Sequence, residues 1–216
     1  MISKNLKIRI FTSSALLLLL LMIFSFNLIL IFSLLVLSMF SLQEFFSMTQ
    51  KIFKKKINYL IINFLFLFYI SVFCMLFFLT TNFFELKVIL FIILIGCISS
   101  DIGGYVSGKI FKGPKLTKIS PNKTVSGSIG SLILSCLTIS ISMYFFTNSL
   151  NYVILFVGII TSLGCQMGDL FFSFLKRKAK IKDTGNFFPG HGGVLDRLDG
   201  IFFGIPAGFL TIIILG

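Results

Sequence analysis

Long uninterrupted apolar runs are the feature that most restricts how this chain can fold. Hydrophobic residues make up 56% of its 216 residues and charged residues only 12%, whereas a soluble domain has roughly 25% charged residues. Several runs reach the ~20 consecutive apolar residues that span a bilayer. Only helices or closed barrels satisfy backbone polar groups in lipid, and these runs do not alternate as barrel strands do. The sequence therefore predicts an all-α, polytopic integral membrane protein.

The apolar runs divide into about seven predicted transmembrane helices. The predicted spans are residues 10–25, 27–48, 57–80, 86–107, 125–146, 151–175 and 200–216. Lysine and arginine are concentrated at the N-terminus and in the loops at 49–57, 108–124 and 176–199, whereas the alternate turns have only Lys87 beside them. By the positive-inside rule, this asymmetry predicts that the basic loops face the cytoplasm. The expected location is a bacterial inner membrane, with a polar active site on its cytoplasmic side.

The formal net charge of +12 is compatible with this topology and with attraction to anionic lipid headgroups, which explain most of the basic run at 51–56. Nucleic-acid binding is not expected, because the basic loops border the membrane and lack a pattern of stacking aromatic residues. The loops at 109–123 and 176–197 differ from the run at 51–56, since Asp, Gly, Ser and Pro accompany their cations. These two loops are the candidates for binding a charged ligand at the membrane surface.

A polar island at residues 173–199 separates the last two apolar runs. The helix that leads into it would place four polar residues on one face: Asp169, Ser173, Lys176 and Arg177. An acidic residue inside an apolar helix is costly and marks a functional site; the alternative for Asp169 is an interhelical ion pair.

The end of the island combines a Gly-Gly pair with two aspartates. Asp196 and Asp199 lie three residues apart at the start of the last span, so their carboxylates share a face. Hard oxygen ligands with room for substrate phosphates suit Mg²⁺, and we predict that Asp169 completes the metal site. His191, Gly192 and Gly193 precede this helix, whose N-terminus and accessible backbone N–H groups would favour a phosphate.

Two further motifs lie upstream on the same predicted side of the membrane. Asp101-x-Gly-Gly-Tyr closes the fourth span, and Ser120-Pro-x-Lys-Thr leads into the fifth. Ser120 and Lys123 are candidate hydrogen-bond donors to a phosphate. Gly127 and Gly130, which follow, are predicted to allow close helix packing.

These motifs together resemble those of the phosphatidate cytidylyltransferase (CDP-diacylglycerol synthase) family. The resemblance rests on S-x-L-K-R-x4-K-D-x-G-x3-P-G-H-G-G-x-L-D-R-x-D, starting at Ser173, and on the two upstream motifs. It covers residues 96–216, which we interpret as a C-terminal catalytic membrane region following N-terminal membrane helices at 1–95. It implies an integral membrane enzyme that converts CTP and phosphatidate into CDP-diacylglycerol and pyrophosphate with Mg²⁺. A second cation and a homodimer are further expectations.

The residue patterns and the resemblance together predict the site residues. The predicted catalytic residues are Asp169, Lys176, Arg177, Asp196, Arg197 and Asp199, with Asp169, Asp196 and Asp199 as metal ligands. The predicted substrate-binding residues are Asp101, Ser120, Lys123, Ser173, Lys182, Asp183, His191, Gly192 and Gly193.

Two positions depart from the family pattern. Phe172 stands where the family usually has an acidic residue, and Ser126 where it usually has Glu or Gln. We expect that the protein has repacked around the Phe172 ring; the alternatives are that the missing acid limits catalysis, or that the ring faces lipid.

Three other function classes compete with this interpretation. A CTP-dependent polyprenol kinase also joins a nucleotide to a membrane lipid, but the H-G-G-x-L-D-R-x-D run argues against it. A CDP-alcohol phosphotransferase would carry D-G-x2-A-R…G-x3-D-x3-D, which is absent. A transporter or non-catalytic lipid-binding paralogue is favoured only by Phe172.

Overall fold

The computed structural model describes residues 4–117, 119–121, 123–188 and 192–216. Its helices are α1 (Lys4–Ser25), α2 (Asn27–Ile52), α3 (Lys56–Thr81), α4 (Phe84–Phe111), α5 (Val125–Thr147), α6 (Tyr152–Lys178) and α7 (Leu195–Leu215). Within the described ranges, β-type pairing is confined to two isolated bridges, Lys115 with Thr124 and Phe188 with Gly192. The predicted all-α class is confirmed.

The helices follow the predicted spans. Helices α2 to α7 are long and apolar enough to cross a membrane, while α1 contributes a shorter apolar stretch, Ser14–Ser25. Large apolar side chains such as Phe64 and Phe68 lie exposed on α3, as expected for a helix surrounded by lipid. Helix α7 begins at Leu195, ahead of the predicted residue 200, so Asp196 and Asp199 of the island lie inside it. The chain is an integral membrane protein.

The chain forms two compact units that do not follow the order of the sequence. The first comprises Met1–Thr81 and Leu175–Leu198, and the second comprises Asn82–Phe174 and Asp199–Gly216. Most of the polar island therefore groups with the N-terminal helices. The division predicted at residue 95 concerns the extent of the family resemblance and stays a prediction.

Aromatic and polar contacts hold the first unit together. The rings of Phe45 on α2 and Phe66 on α3 stack with centroids 3.7 Å apart. One turn further along α2, the Thr49 hydroxyl donates to the Asn63 side-chain oxygen at 2.8 Å. Phe40, also on α2, contacts Phe187 of the polar island at 4.2 Å between centroids. Helix α2 therefore packs against α3 and also against the island.

Glycines bring α4 and α5 of the second unit into close contact. A Cβ atom at Gly127 would lie 2.9 Å from the Gly104 carbonyl oxygen and 3.6 Å from the Gly108 Cα, and one at Gly130 would lie 2.9 Å from the Gly103 carbonyl oxygen. Small residues allow this approach in membranes, where packing and interhelical hydrogen bonds replace the hydrophobic effect. The predicted packing role of Gly127 and Gly130 is confirmed.

A second glycine seam joins α7 to α6. A Cβ atom at Gly200 would lie 3.2 Å from Asp169 Oδ1, and one at Gly204 would lie 3.2 Å from the Thr161 carbonyl oxygen. Because these glycines recur every fourth residue, they form one stripe along α7. The seam places the Asp169 carboxylate beside the second turn of α7.

Phe172 lies inside the second unit. Its side chain is only 1% exposed. Its ring contacts Phe171 at 5.3 Å and Phe202 at 6.3 Å between centroids. The expectation that the protein has packed around this ring is confirmed, and the alternative of a lipid-facing ring is excluded.

Candidate active site

The loop between α4 and α5 folds back on itself and presents Lys123. The Leu116 N–H donates to the Lys123 carbonyl oxygen at 2.8 Å, and the Lys123 N–H donates to that of Ser120 at 3.0 Å. Thr124 then caps α5 by accepting a hydrogen bond from the Gly127 N–H at 3.1 Å. These contacts hold the Lys123 backbone beside Leu116 and Ser120, just ahead of α5.

The Lys123 ammonium donates to Asp169 Oδ2 at 2.8 Å. The two side chains are 31% and 22% exposed, so the pair remains accessible. Two predicted site residues that are 46 positions apart in the sequence are thereby in direct contact. The pair places an ammonium, a group that binds phosphates, beside a carboxylate within the apolar helix α6.

Asp199 lies close to Asp169 within the second unit. The Asp199 carbonyl oxygen lies next to Gly168, where a Cβ atom would overlap it. Asp199 Oδ1 accepts a hydrogen bond from the Gly200 N–H at 3.0 Å, and Gly200 is the residue that faces Asp169. The structure therefore brings the Asp169 side chain to the part of α7 that carries Asp199.

Asp196 is the centre of a hydrogen-bonded network in the first unit. Its Oδ1 accepts from the Lys176 ammonium at 2.7 Å, and its Oδ2 accepts from the Thr184 N–H at 2.8 Å and the Gly193 N–H at 3.1 Å. The Lys176 and Asp196 side chains are only 14% and 7% exposed. The contact with Gly193 resembles a capping box, in which an acidic side chain in the first helical turn satisfies a backbone donor just ahead of the helix. Asp196 thus joins α6, the loop and the start of α7.

Sequence reasoning missed Glu44, which lies in α2 and is 8% exposed. Its Oε1 accepts from the Val194 N–H at 2.9 Å, and its Oε2 accepts from the Leu195 N–H at 2.9 Å and the Thr184 hydroxyl at 2.6 Å. The signal was present, since an acidic residue inside an apolar span marks a functional site by default. It was applied to Asp169 and not to Glu44.

The other predicted residues are placed as follows. Arg177, Lys182, Asp183, Arg197 and Asp101 are exposed, and Ser120, Ser173 and Gly192 are partly buried. Gly192 has φ +86°, a conformation that favours glycine. His191 lies outside the described residues. Among the residues that are described, no three His, Cys, Asp or Glu side chains are grouped so that they could hold a metal ion.

The sequence pattern of the cytidylyltransferase family matches residues 52–215. The chain belongs to this family. It is also similar to curated phosphatidate cytidylyltransferases: 43% identical over 109 residues to that of Staphylococcus haemolyticus, 39% over 112 to that of Mycobacterium leprae, and 41% over 113 to that of Helicobacter pylori.

These matches cover 50%, 51% and 52% of this chain, and 42%, 36% and 42% of the three relatives. The aligned part therefore spans less than half the length of the curated relatives. Glu44 precedes the family match, which begins at residue 52. The lysine–carboxylate pairs described above lie inside it.

Proposed function

We propose that this protein transfers a cytidylyl group from CTP to phosphatidate, giving CDP-diacylglycerol and pyrophosphate, as a step of phospholipid biosynthesis. The observation that carries the proposal is the network centred on Asp196. It joins Lys176, Thr184 and Gly193, so residues of the island motif form one ordered polar centre. Membership of the cytidylyltransferase family and the names of the relatives support the substrate assignment.

The reaction needs charge neutralisation more than proton transfer. The second ionisation of a phosphomonoester has a pKa of ~6, so the phosphate oxygen of phosphatidate is largely ionised at neutral pH. That oxygen attacks the α-phosphorus of CTP, and the bond to the departing pyrophosphate breaks. Cationic side chains that offset the repulsion between the two polyanions stabilise the transition state. We assign this role to Lys123, Lys176, Arg177 and Arg197.

The remaining predicted site residues are proposed to bind the substrates. Lys182, Asp183, Ser173, Ser120, Asp101 and the His191–Gly193 segment are proposed to position the nucleotide and the lipid headgroup. Phosphatidate would keep its acyl chains in the bilayer while its phosphate reaches the polar island.

The aspartates are proposed to hold Mg²⁺. Carboxylate oxygens are the ligands that this ion prefers, and Asp169 lies beside the part of α7 that carries Asp199. Because the described residues form no group of three such ligands, the proposal rests on the donor chemistry of the aspartates and not on their grouping. Asp196 is the third proposed ligand. When bound, the ion would supply positive charge to the phosphates during pyrophosphate departure. A second cation is part of the same proposal.

The basic loops are proposed to face the cytoplasm of a bacterial inner membrane, where CTP is available. This placement follows from the one-sided distribution of lysine and arginine. The absence of nucleic-acid binding is proposed on the sequence grounds given above, and a homodimer stays an expectation.

The test is an assay of purified protein in detergent with phosphatidate, Mg²⁺ and CTP labelled at the α-phosphorus. Cytidylyl transfer moves the label into the lipid product, and reactions without phosphatidate are the control. A polyprenol kinase would leave the label in CDP when polyprenol is supplied. Label in CDP alone, or no labelled lipid, would overturn the proposal.

A further inference from the structure

Glu44 is a buried acid whose side-chain hydrogen bonds, within the described part of the chain, go to the polar island. Its described partners are Thr184, Val194 and Leu195. The two salt bridges given above, Lys123–Asp169 and Lys176–Asp196, do not include it. A buried carboxylate is costly unless several donors compensate for its lost hydration. The two backbone N–H groups come from the start of α7, where the helix dipole also favours a negative charge. The Glu44 carboxylate is therefore stabilised by hydrogen-bond donors of the island and by the dipole of α7.

The island leaves space for this carboxylate at two glycines. A Cβ atom at Gly185 or at Gly193 would overlap the Glu44 carboxylate. Glycine is the residue that permits such a close backbone approach. The two glycines belong to the K-D-x-G and H-G-G parts of the motif, so part of that motif accommodates an acid from α2.

Thr184 links Glu44 to the centre of the proposed site. Its hydroxyl donates to Glu44 at 2.6 Å, while its backbone N–H donates to Asp196 at 2.8 Å. Asp196 in turn accepts from Lys176. A displacement of Thr184 would therefore also displace the Asp196 carboxylate and the Lys176 ammonium, which we assign to the reaction.

We propose that Glu44 is a positioning residue, which holds the loop residues Thr184 and Val194, and Leu195 at the start of α7, in the conformation that orients Asp196 and Lys176 toward CTP. Its importance for turnover rests on the proposed function. Its control of the loop does not. The role would extend the functional part of the chain into α2, ahead of the family match.

The variant Glu44→Gln tests this role, because the amide keeps the volume but replaces one acceptor oxygen with an NH₂ group, which would face one or two of the three donors. We expect the CTP KM to rise and kcat/KM to fall by about 10- to 100-fold, the range seen when groups that orient a site are removed. We also expect trypsin to cleave at the exposed Lys180 and Lys182 about 10-fold faster, since an unanchored loop opens more often. Both are measured at a temperature where thermal unfolding shows the variant folded.

Glu85→Gln is the matched control, because it removes the other glutamate of the chain at an exposed position. It should leave KM and cleavage unchanged. Thr184→Val, which keeps the carboxylate and removes one hydrogen bond, should shift both readouts in the same direction by a smaller factor. It also serves if Glu44→Gln does not fold.

The outcomes separate the two proposals. If Glu44→Gln lowers only the fraction of folded, active protein and leaves the CTP KM unchanged, Glu44 is a purely structural residue and the positioning role is overturned. Unchanged tryptic cleavage in both variants would overturn it as well. If the wild type makes no CDP-diacylglycerol, the proposed function fails, and faster cleavage would still support control of the loop by Glu44.

Discussion

Asp169 and Asp196 have the same chemistry but different surroundings. Asp169 accepts a hydrogen bond from Lys123 and remains 22% exposed, whereas Asp196 accepts from one ammonium and two backbone N–H groups and is 7% exposed. Surface ion pairs contribute little to stability, while breaking a buried pair leaves an uncompensated charge. Asp196 therefore contributes both to the order of the island and to the proposed chemistry.

Replacing Asp196 or Asp199 by Asn keeps the side-chain volume and removes the charge. We expect each variant to lose at least ~100-fold of its CDP-diacylglycerol synthesis, the scale of removing a key electrostatic stabiliser. Mg²⁺ titration of the same variants should show weaker binding. Near-normal turnover in both would mean that these aspartates act only through their hydrogen bonds within the protein, and Glu85→Gln is again the control.

The substitution Phe172→Glu would place the family's usual acid type at a position that is 1% exposed. Because aromatic rings surround this position, the carboxylate would be buried without a partner, and we expect a loss of about 3–5 kcal/mol of stability. Thermal unfolding in detergent measures it, with Phe172→Leu as the apolar control. A stable variant that needs less Mg²⁺ would show instead that the missing acid limits catalysis.

At the scale of elements, the α6–α7 seam determines where Asp169 lies. A Cβ atom at Gly204 would lie 2.7 Å from Cys97 Sγ and would overlap Cys165 Sγ. Gly204→Ala should therefore destabilise the protein by about 1–3 kcal/mol through overpacking. We expect Gly204→Ala to unfold at a lower temperature than Leu210→Ala, which changes an exposed position of the same helix. Equal temperatures would mean that the seam relaxes freely.

The helices could be predicted from the sequence because each is an apolar run of the length that a bilayer requires. For the island, the sequence predicted which residues take part but not which of them contact each other. Helical spacing predicted that Asp169 and Lys176 share a face. It did not predict that Asp169 contacts Lys123 or that Lys176 contacts Asp196. Partner choice depends on how the loops fold, and helical spacing does not report loop conformation. The apolar span around Glu44 marked this residue, but its partners could not be predicted, since they are 140 or more positions away.

For the whole molecule, the basic loops predict one orientation in the membrane. Cysteines introduced at Lys54, Lys115 and Lys180, in a chain whose four native cysteines are replaced by alanine, should react with an impermeant reagent only after the cells are opened. A cysteine at Ser149, in the uncharged turn between α5 and α6, should react in intact cells. Labelling of any of the first three in intact cells would contradict the topology.

The position of Glu44 also determines how far this chain can be shortened. A fragment that begins at residue 52 would contain the whole family match, yet it would lack the acceptor for the Thr184 hydroxyl and for the first N–H groups of α7. Three donors would then remain without their acceptor, at a cost of about 1–3 kcal/mol each wherever water does not replace it. The smallest fragment able to fold its island therefore has to include α2, and a boundary drawn by sequence similarity alone would cut through the functional unit.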